Sequence, residues 1–249
     1  MFLFDDDPAT HWARPSGHLP WLIEHADGAA LARAVAWRLA ATLRRAIVER
    51  GRATLALTGG DAALDTYAFL AAQELDWRRV TLLLTDEPWL PPTDPRSHER
   101  RVADVFLGGA AGAASLLPYL RGSDSVGGDL QAAALDVARL PRPYDAVVLD
   151  VGEDGRIAGM APDVDGLGLL LDPTTPATLA AVDRADPGGQ MLTLTVAALI
   201  ATGVVLVVGR GAAEATVLGR AYEAGPPEEL PLRAVFDNAP EPVEVHWCP

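Results

Sequence analysis

Lysine is absent from this chain: all 20 basic residues are arginine. A Schiff-base lysine, a lysine that anchors a cofactor and a phosphate-loop lysine are therefore excluded. Cysteine is almost absent. Cys248 stands alone, one position before the final Pro249, so neither a disulfide framework nor a cysteine-based metal site can be assembled. No Gly-x-Ser-x-Gly elbow is present, and a cysteine at the chain end is a poor nucleophile, so covalent catalysis has no support. Positive charge is scarce. Thirty-four acidic residues against 20 basic ones leave a net charge of −14, which argues against nucleic acid or an anionic membrane as partner.

Long hydrophobic runs are lacking too. Gly, Thr and charged residues interrupt every apolar stretch before it reaches membrane-spanning length. The first residues, Met1-Phe2-Leu3-Phe4-Asp5-Asp6-Asp7, carry no basic region and no cleavage-type tail, so no signal peptide is expected. A soluble, cytoplasmic protein is the expectation. The histidines are His11, His18, His25, His98 and His246. None pair at zinc-binding spacing, and most are expected at the surface. Neither a metal nor a cofactor is expected.

What the chain has is core material, at 49% hydrophobic, arranged in alternation. Asp27 is placed to cap a helix that carries Leu31, Val35, Leu39, Leu43 and Ile47 on one stripe and stops at Gly51. Short apolar strands are expected at 53–58, 80–85, 145–151, 179–183, 190–196, 204–209 and 243–247. Helices are expected near 62–75, 97–107, 127–140 and 212–224. Continuous apolar strands separated by amphipathic helices imply an α/β fold: a mostly parallel sheet with helices on both faces, in three layers. Ligands of such sheets bind at the carboxyl ends of the strands. The turns at Gly59, Asp86 and Gly152 all follow strand ends and are expected to converge.

Thr58-Gly59-Gly60-Asp61 lies between a strand and a helix. Such a turn aims backbone N–H groups and the positive end of the helix dipole at an anion. The alternative is a tight structural turn with Asp61 as the helix cap. A carboxylate at the lip of this loop would itself occupy the anion site. Thr85-Asp86-Glu87-Pro88-Trp89 ends a strand in two adjacent acids, suited to general-base or hydroxyl-binding work or, alternatively, a solvated loop edge. His98 follows that loop closely enough to reach the same place. Gly152-Glu153-Asp154-Gly155 is acidic but lacks the alternating ligand spacing of a calcium loop. Gly209-Arg210-Gly211 opens a helix and is a weak dinucleotide signal.

Several blocks together resemble the bacterial 6-phosphogluconolactonase family. They are Ala56-Leu57-Thr58-Gly59-Gly60, Leu75-Asp76-Trp77-Arg78-Arg79-Val80 and Asp86-Glu87-Pro88-Trp89-Leu90-Pro91-Pro92. To these are added Leu140-Pro141-Arg142-Pro143-Tyr144-Asp145 leading into Val151-Gly152-Glu153-Asp154-Gly155, and the closing segments Pro231-Leu232-Arg233-Ala234-Val235 and Pro242-Val243-Glu244-Val245-His246-Trp247. The resemblance implies one Rossmann-like domain over residues 1–249, related to glucosamine-6-phosphate deaminases and ribose-5-phosphate isomerases. The implied activity is metal-free hydrolysis of 6-phosphogluconolactone in the pentose phosphate pathway.

It also implies site positions. Arg156, Asp86, Glu87, His98 and Asp154 fall at the catalytic positions. Thr58, Gly59, Gly60, Asp61, Gly152, Gly155, Gln190, Glu214 and Arg233 fall at substrate-binding ones. Departures concentrate there. Arg156 stands where the family has its His base, and Asp61-Ala62-Ala63 ends the loop in place of Ser-Thr-Pro. Pro88 and Gln190 replace Arg, His98 replaces Asn, and Glu214 replaces Lys. Most of these changes remove positive charge or add negative charge, against what phosphate recognition needs. Arg156 stays protonated and cannot serve as a base. The expectation is a sugar-lactone hydrolase with weak or altered activity. The alternative is a non-catalytic relative that binds a protein partner or senses a small ligand. Arg156 turning to Asp61 or Glu214 would mark a closed site.

Overall fold

The computed structural model describes residues 18–185 and 189–249; His11 lies outside them. Seven parallel strands form the main sheet in the order β1-β10-β9-β6-β2-β3-β5. They are β1 (Trp21–Glu24), β2 (Ala53–Leu57), β3 (Val80–Leu84), β5 (Ser115–Leu116), β6 (Ala146–Asp150), β9 (Val205–Arg210) and β10 (Glu244–Cys248). Helices cover both faces. The principal ones are α1 (Gly28–Arg50), α2 (Asp61–Ala71), α3 (His98–Phe106), α4 (Val126–Arg139) and α7 (Gly211–Tyr222). Shorter helices are α5 (Leu167–Leu171), α6 (Val196–Ile200) and α8 (Leu232–Asn238).

The first helix forms as its pattern dictates. Asp27 accepts the N–H of Ala30 at 2.7 Å, and Gly51 closes the far end at φ +72°. Leu31, Val35, Leu39 and Leu43 are fully buried against the sheet and α2, each stabilising the fold by roughly 1.5–3 kcal/mol. β2 and β6 are buried almost throughout, as the inner strands of a doubly covered sheet must be.

Part of the expected layout is corrected. The segments expected to extend the parallel sheet at 179–183 and 190–196 instead form β7 (Leu179–Asp183) and β8 (Gln190–Leu194) of a separate antiparallel sheet. Its third strand is β4 (Asp86–Pro88), within the segment read as a loop. α4 packs on β7 and β8. Asp61 is not a cap: Gly60 holds that position without any side-chain bond, and Asp61 is the first helical residue. His246 is buried rather than exposed, because β10 is an inner strand between β1 and β9. Its ring stacks on His25 and shares a 2.9 Å hydrogen bond with it.

In the main sheet the chain proceeds from β2 outward to β3, then returns to the other side of β2 as β6. Such a reversal of strand order opens a crevice outside the carboxyl ends of the strands. Thr58 to Asp61 leaves β2 there, Asp86 follows β3, and Asp150 to Gly155 leaves β6.

Candidate active site

The turn after β2 is shaped by two close approaches. A Cβ on Gly59 would stand 2.3 Å from Cγ of His98, and one on Gly60 would stand 1.6 Å from an oxygen of Asp150. Glycine is required at both positions because an imidazole and a carboxylate press onto the backbone. Thr58 fixes the arrangement. Its hydroxyl donates to Asp150, its Oγ1 accepts the N–H of Gly60 at 3.1 Å, and its carbonyl accepts the Tyr67 hydroxyl at 2.8 Å.

Asp86 and Glu87 are buried, not solvated, because β4 pairs with β8 and places both inside. His98, in the first turn of α3, has Nδ1 2.9 Å from the carbonyl of Asp86 and 3.4 Å from its carboxylate. Burial pushes the Asp86 carboxyl up, but the His98 charge and hydrogen bonds from His98 and Thr85 outweigh it and hold it below the usual range. Burial lowers His98 in turn, and the Asp86 and Glu87 carboxylates overcome this and raise it to about 9. His98 is therefore an imidazolium at neutral pH. Glu87 is pushed up to about 7 by burial, against hydrogen bonds from Ser97 and the Glu99 N–H. Asp150 is likewise raised, first by burial and then by Asp86, with Thr58 opposing.

The turn after β6 is tight. Gly152 N–H donates to the Arg156 carbonyl at 3.0 Å, and Gly155 N–H to the Gly152 carbonyl at 2.8 Å. Gly155 sits at φ +82° with Leu230 where a Cβ would go, so only glycine fits. Arg156 turns to neither Asp61 nor Glu214. It pairs with Asp154 at 3.1 Å within its own turn. Asp61 pairs with Arg101 of α3. Glu214 folds back to accept the Arg210 N–H at 2.7 Å at the start of α7, and burial raises its carboxyl.

The remaining sequence candidates are more peripheral. Gln190 is exposed at the start of β8, where its carbonyl accepts the Trp89 N–H at 2.7 Å. Trp89 itself is anchored by its ring N–H on Asp129 at 2.9 Å. The Arg233 guanidinium is buried and donates to the carbonyls of Arg220 at 3.0 Å and Pro226 at 3.3 Å, tying the α7–α8 connection. Thr58, Gly59, Gly60, Asp86, Glu87 and His98 are thus brought together. Two residues of the cluster are not among the candidates the sequence offers: Asp150 and the buried Arg184, whose charge also acts on Asp86. Asp150 closes an apolar strand, and the strand-end rule that singled out Asp86 applies to it equally.

Two open surface hollows, of about 1070 and 520 Å³, lie elsewhere, beside Trp77 and beside Trp21, and neither borders these turns. Among the described residues no group of His, Cys, Asp and Glu is arranged to hold a metal ion. No helix among them is long and apolar enough to cross a membrane.

Fold and site together define an α/β protein with a cluster of buried acids and a histidine at the carboxyl edge of a parallel sheet. Residues 26–247 match the family described as glucosamine-6-phosphate isomerases/6-phosphogluconolactonase. The protein named 6-phosphogluconolactonase from Mesorhizobium japonicum is 40% identical over 226 residues, covering 90% of this chain and 93% of the relative. That of Rhizobium meliloti is 35% identical over 220 residues, covering 88% and 95%. The crystal structure of a 6-phosphogluconolactonase from Shewanella baltica superposes with a TM-score of 0.88 at 27% identity, over 92% of this chain and 98% of that one. This chain belongs to the glucosamine-6-phosphate isomerase/6-phosphogluconolactonase family.

Proposed function

We propose that this protein is a sugar-lactone hydrolase acting on a gluconolactone, with slow turnover of the 6-phosphorylated form. Its family membership supports lactone hydrolysis as the reaction class. The observation that carries the site assignment is the Asp86–His98 pair packed on Gly59.

Hydrolysis needs a water activated for attack on the lactone carbonyl, a donor for the oxyanion, and a proton for the departing ring oxygen. His98, charged up to about pH 9, suits the donor roles and not the base role. Asp86 holds the ring in place and sustains its charge. Arg156, at the position where the resemblance implies a His, is a second cation for a substrate oxygen. Glu87, with a carboxyl near 7, has the basicity of a general base, but it is enclosed and already accepts the Glu99 N–H. The absence of a free base at position 156 supports slow turnover, since a lost general base lowers rates by ~10²–10⁴.

The same observation favours a second reading, a non-catalytic family member that binds a ligand or protein partner in this crevice. Hydrolysis of δ-gluconolactone with and without the 6-phosphate, measured above the spontaneous rate beside Arg156→His, separates the two. The proposal expects turnover of the unphosphorylated lactone and a rise of at least about tenfold in Arg156→His. Silence from both proteins on both lactones overturns it in favour of the binding reading.

A further inference from the structure

Two strand-to-helix turns bring helix N-termini to the carboxyl edge of the main sheet, β2 into α2 and β9 into α7. Each carries a glycine, and each is the kind of place where an anion settles on free N–H groups. In this protein neither turn is open. The Asp150 carboxylate presses on Gly60 so closely that no Cβ would fit, and it is held there by the Thr58 hydroxyl. The Glu214 carboxylate lies 3.2 Å from the Cβ position of Gly209 and accepts the Arg210 N–H.

We propose that Asp150 occupies the anion position of the Thr58–Asp61 turn, so that the crevice favours a neutral, hydroxyl-bearing sugar lactone over its phosphate ester. This rests on the lactone-hydrolase reading and names the substrate class within it. A carboxylate seated on the turn acts in two ways. It fills the volume a phosphate oxygen would take, and in its ionised form it opposes the charge of a dianion at contact distance; burial raises its carboxyl, so the charge part of the exclusion grows with pH. The neighbouring groups reinforce the sign. Asp86 stands close enough to act on Asp150, and Glu214 feels both Asp150 and Glu153. Three nearby cations already face carboxylates: His98 faces Asp86, Arg101 faces Asp61, and Arg210 meets Asp65 through one guanidinium nitrogen at 2.9 Å. A sugar hydroxyl, in contrast, donates to a carboxylate without charge repulsion and takes the place of the Thr58 hydrogen bond or adds to it.

Two variants separate charge from bulk. Asp150→Asn keeps the shape and an oxygen for Thr58 but removes the charge, and Asp150→Gly empties the turn. Each is checked for folding by its thermal transition. Binding of inorganic phosphate is then measured by calorimetry on wild type and both variants at pH 7.5, and kcat/KM is measured on gluconolactone with and without the 6-phosphate. The expected result is no measurable phosphate binding by wild type, a gain of at least about tenfold in Asp150→Asn and a larger one in Asp150→Gly. One unit charge removed at contact distance in a partly shielded site is of that order or greater. The preference for the unphosphorylated lactone should fall by a similar factor. Phosphate bound equally by all three proteins, or by none, overturns the assignment. If no protein turns over either lactone while the phosphate gain appears, the lactonase reading fails and the role of Asp150 in excluding anions stands.

Discussion

Replacing His98 with Asn isolates the charge at the centre of the site. The Asn amide retains a donor toward the Asp86 carbonyl, which His98 Nδ1 approaches at 2.9 Å, but it carries no proton to lose. In the folded protein His98 is raised from 6.5 to about 9 because the Asp86 and Glu87 carboxylates outweigh its burial. A base raised on folding adds stability that is fully present below its unfolded value and lost as pH climbs through its folded one. Here that window runs from about 6.5 to about 9, and the difference corresponds to about 3 kcal/mol.

Urea unfolding of wild type and His98→Asn from pH 6 to pH 10 checks this. The wild-type advantage should be greatest at pH 6 and shrink by about 3 kcal/mol by pH 10. Taking the difference between the proteins removes groups that do not interact with His98; Glu87, near 7 and lowered by the His98 charge, titrates with it as part of the same coupled contribution. A direct reading comes from the ring proton shifts of His98 in an NMR titration. A His98 midpoint near 6.5, or a stability difference that stays flat across the window, would refute the ion pair with Asp86 and with it the donor role.

Other outcomes follow from the same contacts. Gly60→Ala forces a methyl into the Asp150 carboxylate and should destabilise by about 1–3 kcal/mol in urea unfolding; a protein as stable as wild type would mean the turn opens freely. Arg233→Ala leaves the carbonyls of Arg220 and Pro226 without their buried donor and should lower stability by roughly 1–3 kcal/mol. A selective rise in lactone KM with unchanged stability would instead make Arg233 a substrate contact. His25 is held below its usual range by burial and by the stacked His246, with Glu244 the next charged group, 3.8 Å from His246. Its contribution should be intact above pH 6.5 and fall away as pH drops below that toward the lowered folded value. Thermal melts of wild type and His25→Ala between pH 4.5 and 7.5 would show this as a steeper acid loss in wild type, and parallel curves would contradict it.

The elements legible in the sequence are those whose signals are local. α1 declared its stripe, its Asp27 cap and its Gly51 stop, and the buried strands β2, β3, β6 and β9 appear as apolar runs between turns. The second sheet was not legible. β4 has only three residues, and nothing within Leu179–Asp183 or Gln190–Leu194 states whether a strand pairs parallel or antiparallel. α5 and α6 have five residues each, too few to show a period. The cluster of Thr58, Gly59, Gly60, Asp86, Glu87 and His98 was anticipated because strand-end turns in an α/β sheet converge. Asp150 is not among the candidate site residues because it falls inside the apolar strand expected at 145–151. Its role depends on Gly60, 90 positions away in the chain, and only the register of β6 beside β2 joins them.

The substitutions around the site make physical sense as a set once their partners are known. Two of the changed positions are ion-paired by the protein itself: Arg156 closes on Asp154 inside a five-residue turn, and Asp61 is met by Arg101 from the adjoining helix. Asp65 likewise meets Arg210. Exposed pairs of this kind add little stability, about 0–1 kcal/mol each, so their consequence lies in binding. An arginine already facing a carboxylate attracts an incoming phosphate far less than a free one, because the ligand must displace or share that partner. A crevice with its cations engaged and Asp150 on its glycine turn favours a ligand that brings hydroxyl groups and no charge. The start of α7 is served in the same way from within the protein, since the Glu214 carboxylate accepts the Arg210 N–H there.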